Sequence, residues 1–220
     1  MAARVKPKRQ YNSPRRQEQA AATRRSILEA AQRLFERDGY PATTMEMVAT
    51  EAGVALKTVY VVFTTKSGLL RGLWDFLLKG DQQDAGVAER SWYREVLDEP
   101  DPQRQLRLNA RNARVVKERI AALLRVIRDA APGDADLATL WDLIQTDFYA
   151  NQRVIIEILH KKRALKPALD VTRASDILWT LNHPDLWQLL VGERGWTPEQ
   201  WEAWFDATSR AQLLRDARGS

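Results

Sequence analysis

Lys57, Thr58 and Tyr60 stand almost side by side in the chain, with Thr44 before them and Lys66 after. Ammonium, hydroxyl and phenol groups at such short range offer hydrogen bonds to a polar partner rather than a bond-making centre. Tyr40 offers a second phenol. Bond-making chemistry has no comparable set. The chain has no cysteine, which excludes a disulfide frame and a Cys-based metal site, and with only two histidines, His160 and His183, no His-rich zinc site is expected. No glycine-rich phosphate loop, nucleophile motif or metal-spaced cluster occurs, and the expectation is a non-enzymatic protein without metal or cofactor.

The recognition groups need a platform. Ile27, Ala30, Ala31, Leu34 and Phe35 recur at helical spacing and predict a first helix over Thr23–Asp38, with Thr23 as N-cap and Gly39 as a left-handed stop. Thr43-Thr44-Met45-Glu46 reads as a capping box opening a short second helix that ends near Ala52-Gly53. Val48, Ala49 and Ala52 give that helix a small apolar face, Gly53 turns the chain, and Val54 fills the angle. Val59 and Phe63 then return a third helix, about Ala55–Val62, to the same core. Local propensity pulls the other way, since Thr58-Val59-Tyr60-Val61-Val62-Phe63-Thr64 taken alone is a strand. As a helix, the segment turns Leu56, Lys57, Thr58 and Tyr60 outward, in a helix-turn-helix geometry whose second helix fits a DNA major groove.

The rest of the 220 residues is also helical in pattern, so the fold class is all-α. Helices are expected over about Lys66–Gly80, Gln103–Ala130, Asp136–Lys162 and Val171–Val191, the last kinked at Pro184. A capping box at Thr197-Pro198-Glu199-Gln200 opens a final helix. No apolar run approaches the ~20 residues of a membrane helix, and no signal-peptide segment follows the start, so the expectation is a cytoplasmic protein with no membrane partner. Net charge is +5, unevenly placed. Residues 1–25 hold eight basic residues against Glu18 alone, a net +7, which leaves −2 for the remainder. Residues 26–80 balance to zero. A basic arm with Pro7 and Pro14 is therefore expected to supply electrostatic affinity for a polyanion, with Arg15 or Arg16 entering the minor groove; a solvated tail with no role is the alternative.

The stretch Gly39-Tyr40, Thr43-Thr44, Val48-Ala49, Ala52-Gly53-Val54, Thr58-Val59-Tyr60, Phe63, Lys66 and Leu69-Leu70 resembles the TetR family of bacterial transcriptional regulators, in register over about 45 residues. The resemblance places residues 58–64 on the recognition helix. It implies that Thr44, Tyr60 and Lys66, with Tyr40 as a further candidate, hold phosphates, and that Lys57 and Thr58 approach base edges. Departures stand at Ala55, where the family has a capping Ser, at Lys57, where a small residue is common, and at Val62, where the family's His or Tyr contacts the DNA backbone and a valine side chain cannot donate that hydrogen bond. At Gly68 the usual acid is missing, which is expected to weaken the cap around Thr65.

Four segments follow: a flexible basic arm at 1–22, the helix-turn-helix unit at 23–65, a connecting helix at 66–80, and an effector-binding and dimerisation domain at 81–216. The family's pockets and interfaces imply roles for the aromatic residues of the body. Trp74, Trp92, Trp141, Phe148, Trp179 and His183 are candidate liners of a small-molecule cavity, and Leu178, Trp201, Trp204 and Phe205 are candidates for an interface between twin subunits. Ordinary core packing competes for each. The expected partners are a palindromic double-stranded DNA operator, a small-molecule effector and a second copy of the chain. The resulting expectation is a homodimeric repressor released by its effector. A helical small-molecule binder with a vestigial DNA-binding unit is the alternative.

Overall fold

The computed structural model describes residues 14–79 and 90–215. Helix α1 (Pro14–Ala42) begins at Pro14 rather than Thr23, so the expected flexible arm is already helical over its last part. Pro is at home in a first helical turn, and Arg15–Ala22 is built from Arg, Gln, Glu and Ala, all strong helix formers. Residues 15–22 are exposed on every side, so they leave no apolar stripe to announce the helix. Residues 1–13 of the predicted arm lie outside the described residues. Gly39, at φ 79°, breaks the helix before Pro41.

Helix α2 (Met45–Ala52) is capped by Thr44, whose hydroxyl oxygen accepts from the Met47 amide at 3.2 Å. The predicted capping box does not form. With Thr44 as the cap, the reciprocating position falls on Met47 rather than Glu46, and Thr43 is buried, donating to the Gly39 carbonyl at 2.8 Å. Gly53, at φ 66°, makes the left-handed turn into α3 (Leu56–Val62). A strand would place Val59, Val61 and Phe63 on one side; here Val59 and Phe63 are 0% and 5% exposed while Val61 is 75% exposed, the pattern of a helix, so tertiary packing overrides the local strand propensity. Ala55 gives α3 no side-chain cap.

Helix α4 (Lys66–Lys79) keeps the cap that Gly68 was expected to weaken. Thr65 Oγ1 accepts from the Gly68 amide at 2.9 Å, and a side chain at position 68 would crowd that oxygen. Gly72 has a sharper role: a Cβ there would meet the Phe63 ring at 2.7 Å, so its absence lets α4 close onto the end of the recognition helix.

Helix α5 (Ser91–Asp98) precedes two long rods, α6 (Pro102–Ala130) and α7 (Ala135–Lys161). Each rod starts at an aspartate cap, Asp101 and Asp134. The expected kinked helix at 171–191 is instead α8 (Val171–Leu181), a break, and α9 (Pro184–Trp187) running into a π-helical turn to Glu193. Pro184 has no amide to donate back across the break, so it opens a helix rather than bending one, with His183 Nδ1 accepting the Asp185 amide as cap. Helix α10 (Pro198–Leu213) starts at the complete Thr197–Gln200 capping box.

Two hydrophobic cores result, and both long rods serve both of them. The first joins α1–α4 to Ile120–Ala130 of α6 and Leu137–Ile144 of α7. The second joins α5 and α8–α10 to Leu106–Ala110 of α6 and Ile155–Leu159 of α7. Core residues of this depth typically cost ~2–5 kcal/mol when cut to Ala.

Candidate functional site

The outward side of the helix-turn-helix is assembled by fixing its back. Ser26 Oγ on α1 donates to the Ala52 carbonyl at 3.2 Å, and Arg33 pairs with Glu51 at 2.8 Å, so α1 carries α2. With Val59 and Phe63 locked into the core, α3 exposes Lys57 and leaves Tyr60 46% and Val61 75% accessible, with Thr58 half-buried beside them. Thr44 is exposed at the start of α2. An ammonium, hydroxyls, a phenol and a bare valine on one short rod form a surface suited to a partner carrying both phosphate and apolar edges. Val61 escaped the sequence reading. Its signal was available in retrospect, because it stands two positions from core Val59 and so cannot share its side of a helix.

Two residues expected on this surface are engaged elsewhere. Lys66 donates to the Tyr40 and Thr43 carbonyls at 2.9 and 3.0 Å and lies over the Tyr40 ring, its ammonium pKa lowered by burial. Tyr40 stacks on Phe35 and donates to Asp134 Oδ2 at 2.8 Å, and burial plus that carboxylate raise its phenol pKa. Ser67 donates to Asp136 at 2.9 Å. Tyr40, Lys66 and Ser67 thus form a joint between the helix-turn-helix and the first turn of α7 rather than a phosphate cradle. Arg15 and Arg16 are exposed on the first turn of α1, in helix rather than in the extended arm expected to enter a minor groove.

Behind α4 lies a cavity of about 240 Å³ between α4, α5, α6 and α7, with Asn182 and Pro184 also in its wall. Trp74, Trp92 and Phe148 line it as expected; Trp141, Trp179 and His183 do not. Trp141 packs on the first core. Trp179 and His183 meet edge-on at 4.9 Å behind Phe148, and burial lowers the His183 pKa, consistent with its service as a neutral helix cap.

The residue missed by sequence reasoning is Lys117. It is 5% exposed, lines the cavity, donates to Asn182 Oδ1, and stands 4.8 Å from the Trp201 ring centre and 5.7 Å from that of Phe148. Desolvation pushes its pKa down to about 7. Its signal was positional. Ala110, Ala113, Lys117, Ile120 and Leu124 keep one helical stripe, so the lysine occupies a core slot of α6.

Of the residues expected between subunits, Leu178, Trp201 and Phe205 are 0% exposed within this one chain and cannot be covered further by a second copy. Trp201 stacks on Phe205 and meets Trp187 edge-on, so aromatic mass here fills the second core. Trp204 remains half-exposed, paired with Trp196.

Known proteins share both the platform and the body. The model of the bacterial regulatory proteins of the tetR family matches residues 27–73. The HTH-type regulator YhgD of Bacillus subtilis is 44% identical over 62 residues, 28% of this chain and 32% of its own length. The probable HTH-type regulator ArpR of Pseudomonas putida is 28% identical over 167 residues, covering 73% of this chain and 77% of its own. The matches to two further curated regulators span about half of those proteins, 52% and 50%. In the SmeT–triclosan complex the same fold recurs at a TM-score of 0.71 and 19% identity, over 90% of this chain and 95% of that one. The all-helical plan, the matched segment and the exposed rod agree: residues 27–73 carry the DNA-binding segment of the tetR family of bacterial regulatory proteins, on a chain whose fold is that of solved regulators.

Proposed function

We propose that the protein is a homodimeric repressor that binds a palindromic DNA operator and leaves it when a small molecule occupies the cavity behind α4. The observation that carries this reading is the exposure of Lys57, Tyr60 and Val61 on a rod whose other side is locked by Val59 and Phe63. Lys57 and Thr58 approach base edges, while Thr44 and Tyr60 hold phosphates; Arg15 and Arg16 add charge beside the site. SmeT has been solved with triclosan, which supports a small molecule as the occupant of the corresponding space here.

Coupling has a physical route. Helix α4 lines the cavity with Trp74 and packs on the recognition helix through Gly72, while α7 lines it with Phe148 and holds Tyr40 and Ser67 through Asp134 and Asp136. A ligand that spreads α4 from α7 rotates the recognition rods of two subunits out of the ~34–36 Å spacing of successive major-groove faces, and couplings of this sort are typically worth ~1–3 kcal/mol. The twin subunit packs on α8 and on the open side of α10, where Ala203, Ala207 and Ala211 let helices approach closely and Trp204 adds apolar area.

A mobility shift with DNA fragments from around the protein's own gene tests the reading. The expected result is selection of one fragment whose protected segment is a palindrome, with the chain sedimenting as a dimer. Selection of none would favour the vestigial binding unit.

A further inference from the structure

The cavity has a polar lining that its apolar wall does not explain. Lys117 is buried with no carboxylate against it among the described residues, and its one hydrogen-bond partner is the neutral Asn182 side chain, itself 4% exposed. Asn182 in turn donates to buried Gln152 at 3.3 Å. Two further amides of the wall, Asn109 Nδ2 and Gln145 Nε2, are sealed from water without a partner. Buried charge is normally paired, and buried amides are normally satisfied. Here a cation and two amides share one small space with the rings of Trp74, Trp92 and Phe148.

We infer that the effector is a small aromatic acid whose carboxylate pairs with the Lys117 ammonium and whose ring lies among Trp74, Trp92 and Phe148. This deepens the reading of the cavity as an effector site and rests on it. A ligand carboxylate supplies the counter-charge that the fold withholds, and it takes hydrogen bonds from groups that otherwise have none. A neutral ligand of the same shape leaves the cation uncompensated.

The other charged groups around Lys117 do not take that place. Arg71 and Asp75 from α4 and Asp147 from α7 are exposed at the rim. Tyr93 from α5 is held protonated by burial. Asp185 from α9 pairs with Arg128, His183 stays neutral above pH 7, and Glu202 from α10 pairs with Arg114. Burial puts the Lys117 amine near its titration midpoint at about pH 7, so an arriving carboxylate draws a proton onto it.

The test uses the full-length protein and two probes of one shape, 2-naphthoate and neutral 2-naphthamide, in titration calorimetry. At pH 7 the acid is expected to bind at least ~10-fold more tightly, and Lys117→Met is expected to erase the preference while leaving naphthamide affinity within about threefold. Equal affinities, or a preference that survives in Lys117→Met, overturn the inference. A second readout needs no variant. At pH 8, in buffers of different ionisation heat, naphthoate binding is expected to take up close to one proton and naphthamide none; zero uptake by naphthoate also overturns the inference. Binding of naphthamide alone removes the acid and keeps the effector cavity. Binding of neither probe removes both.

Discussion

Lys57 and Lys117 carry the same functional group into opposite surroundings. Lys57 stands in water on the recognition rod, where its charge is solvated and screened by salt. Lys117 stands in the cavity, where desolvation has brought the amine to the edge of losing its proton. The exposed lysine suits a long, repetitive anion met on one side; the buried one suits a single charge enclosed on all sides. One region discriminates by shape and summed charge, the other by the cost of an unpaired ion.

Reversing the exposed charge breaks the comparison most strongly. Lys57→Glu is expected to weaken operator binding about 100-fold, or ~3 kcal/mol, while calorimetric binding of cavity probes is unchanged. A parallel loss at both sites would show that the two regions are not separable.

A stability profile addresses the buried lysine next. An unfolded lysine titrates near 10.4 and Lys117 in the fold near 7, so between those values the unfolded chain holds more protons and stability rises with pH. Between pH 7 and 9 the rise is expected to be about 2 kcal/mol by chemical denaturation. Lys117→Met should flatten it, and a wild-type profile that is flat or falls would place the lysine in water.

Tyr40→Phe cuts the joint between the regions without filling or emptying space. Loss of its 2.8 Å bond to Asp134 should lower unfolding stability by about 1 kcal/mol and reduce the effector's influence on operator affinity severalfold. Affinity for operator without effector should change less. The smallest effect is a gain: Ala55→Ser adds the missing cap to α3, whose position 55 already has cap geometry at φ −68° and ψ 141°, and should stabilise the fold by ~0.5–1 kcal/mol in thermal melts.

The helix-turn-helix was readable because its signals are local and agree with one another: Gly53 at the turn, Val59 and Phe63 on one side, Thr44 at the cap. The strand propensity of residues 58–64 yields to tertiary packing, which buries Val59 and Phe63 and leaves Val61, on the strand's same face, in solvent. The body was readable only as helices. Which side of α10 faces inward depends on Trp187 and on the α6 rod beside it, contacts far apart in the chain, so Trp201 and Phe205 were expected between subunits and lie inside one. Aromatic type alone cannot separate Trp74, which lines the cavity, from Trp141, which packs on the core. Lys117 was overlooked because charge was weighed by cluster, whereas its meaning lay in standing alone in an apolar stripe.

The sharing of α6 and α7 between both cores has a practical consequence for anyone building hybrid sensors. A DNA-reading head excised after residue 80 would carry Leu69, Leu70, Leu73 and Leu77 without the residues of α6 and α7 that cover them. A working graft must therefore take the latter half of α6 and the opening turns of α7 along with the head, so the transplantable module is discontinuous in the chain.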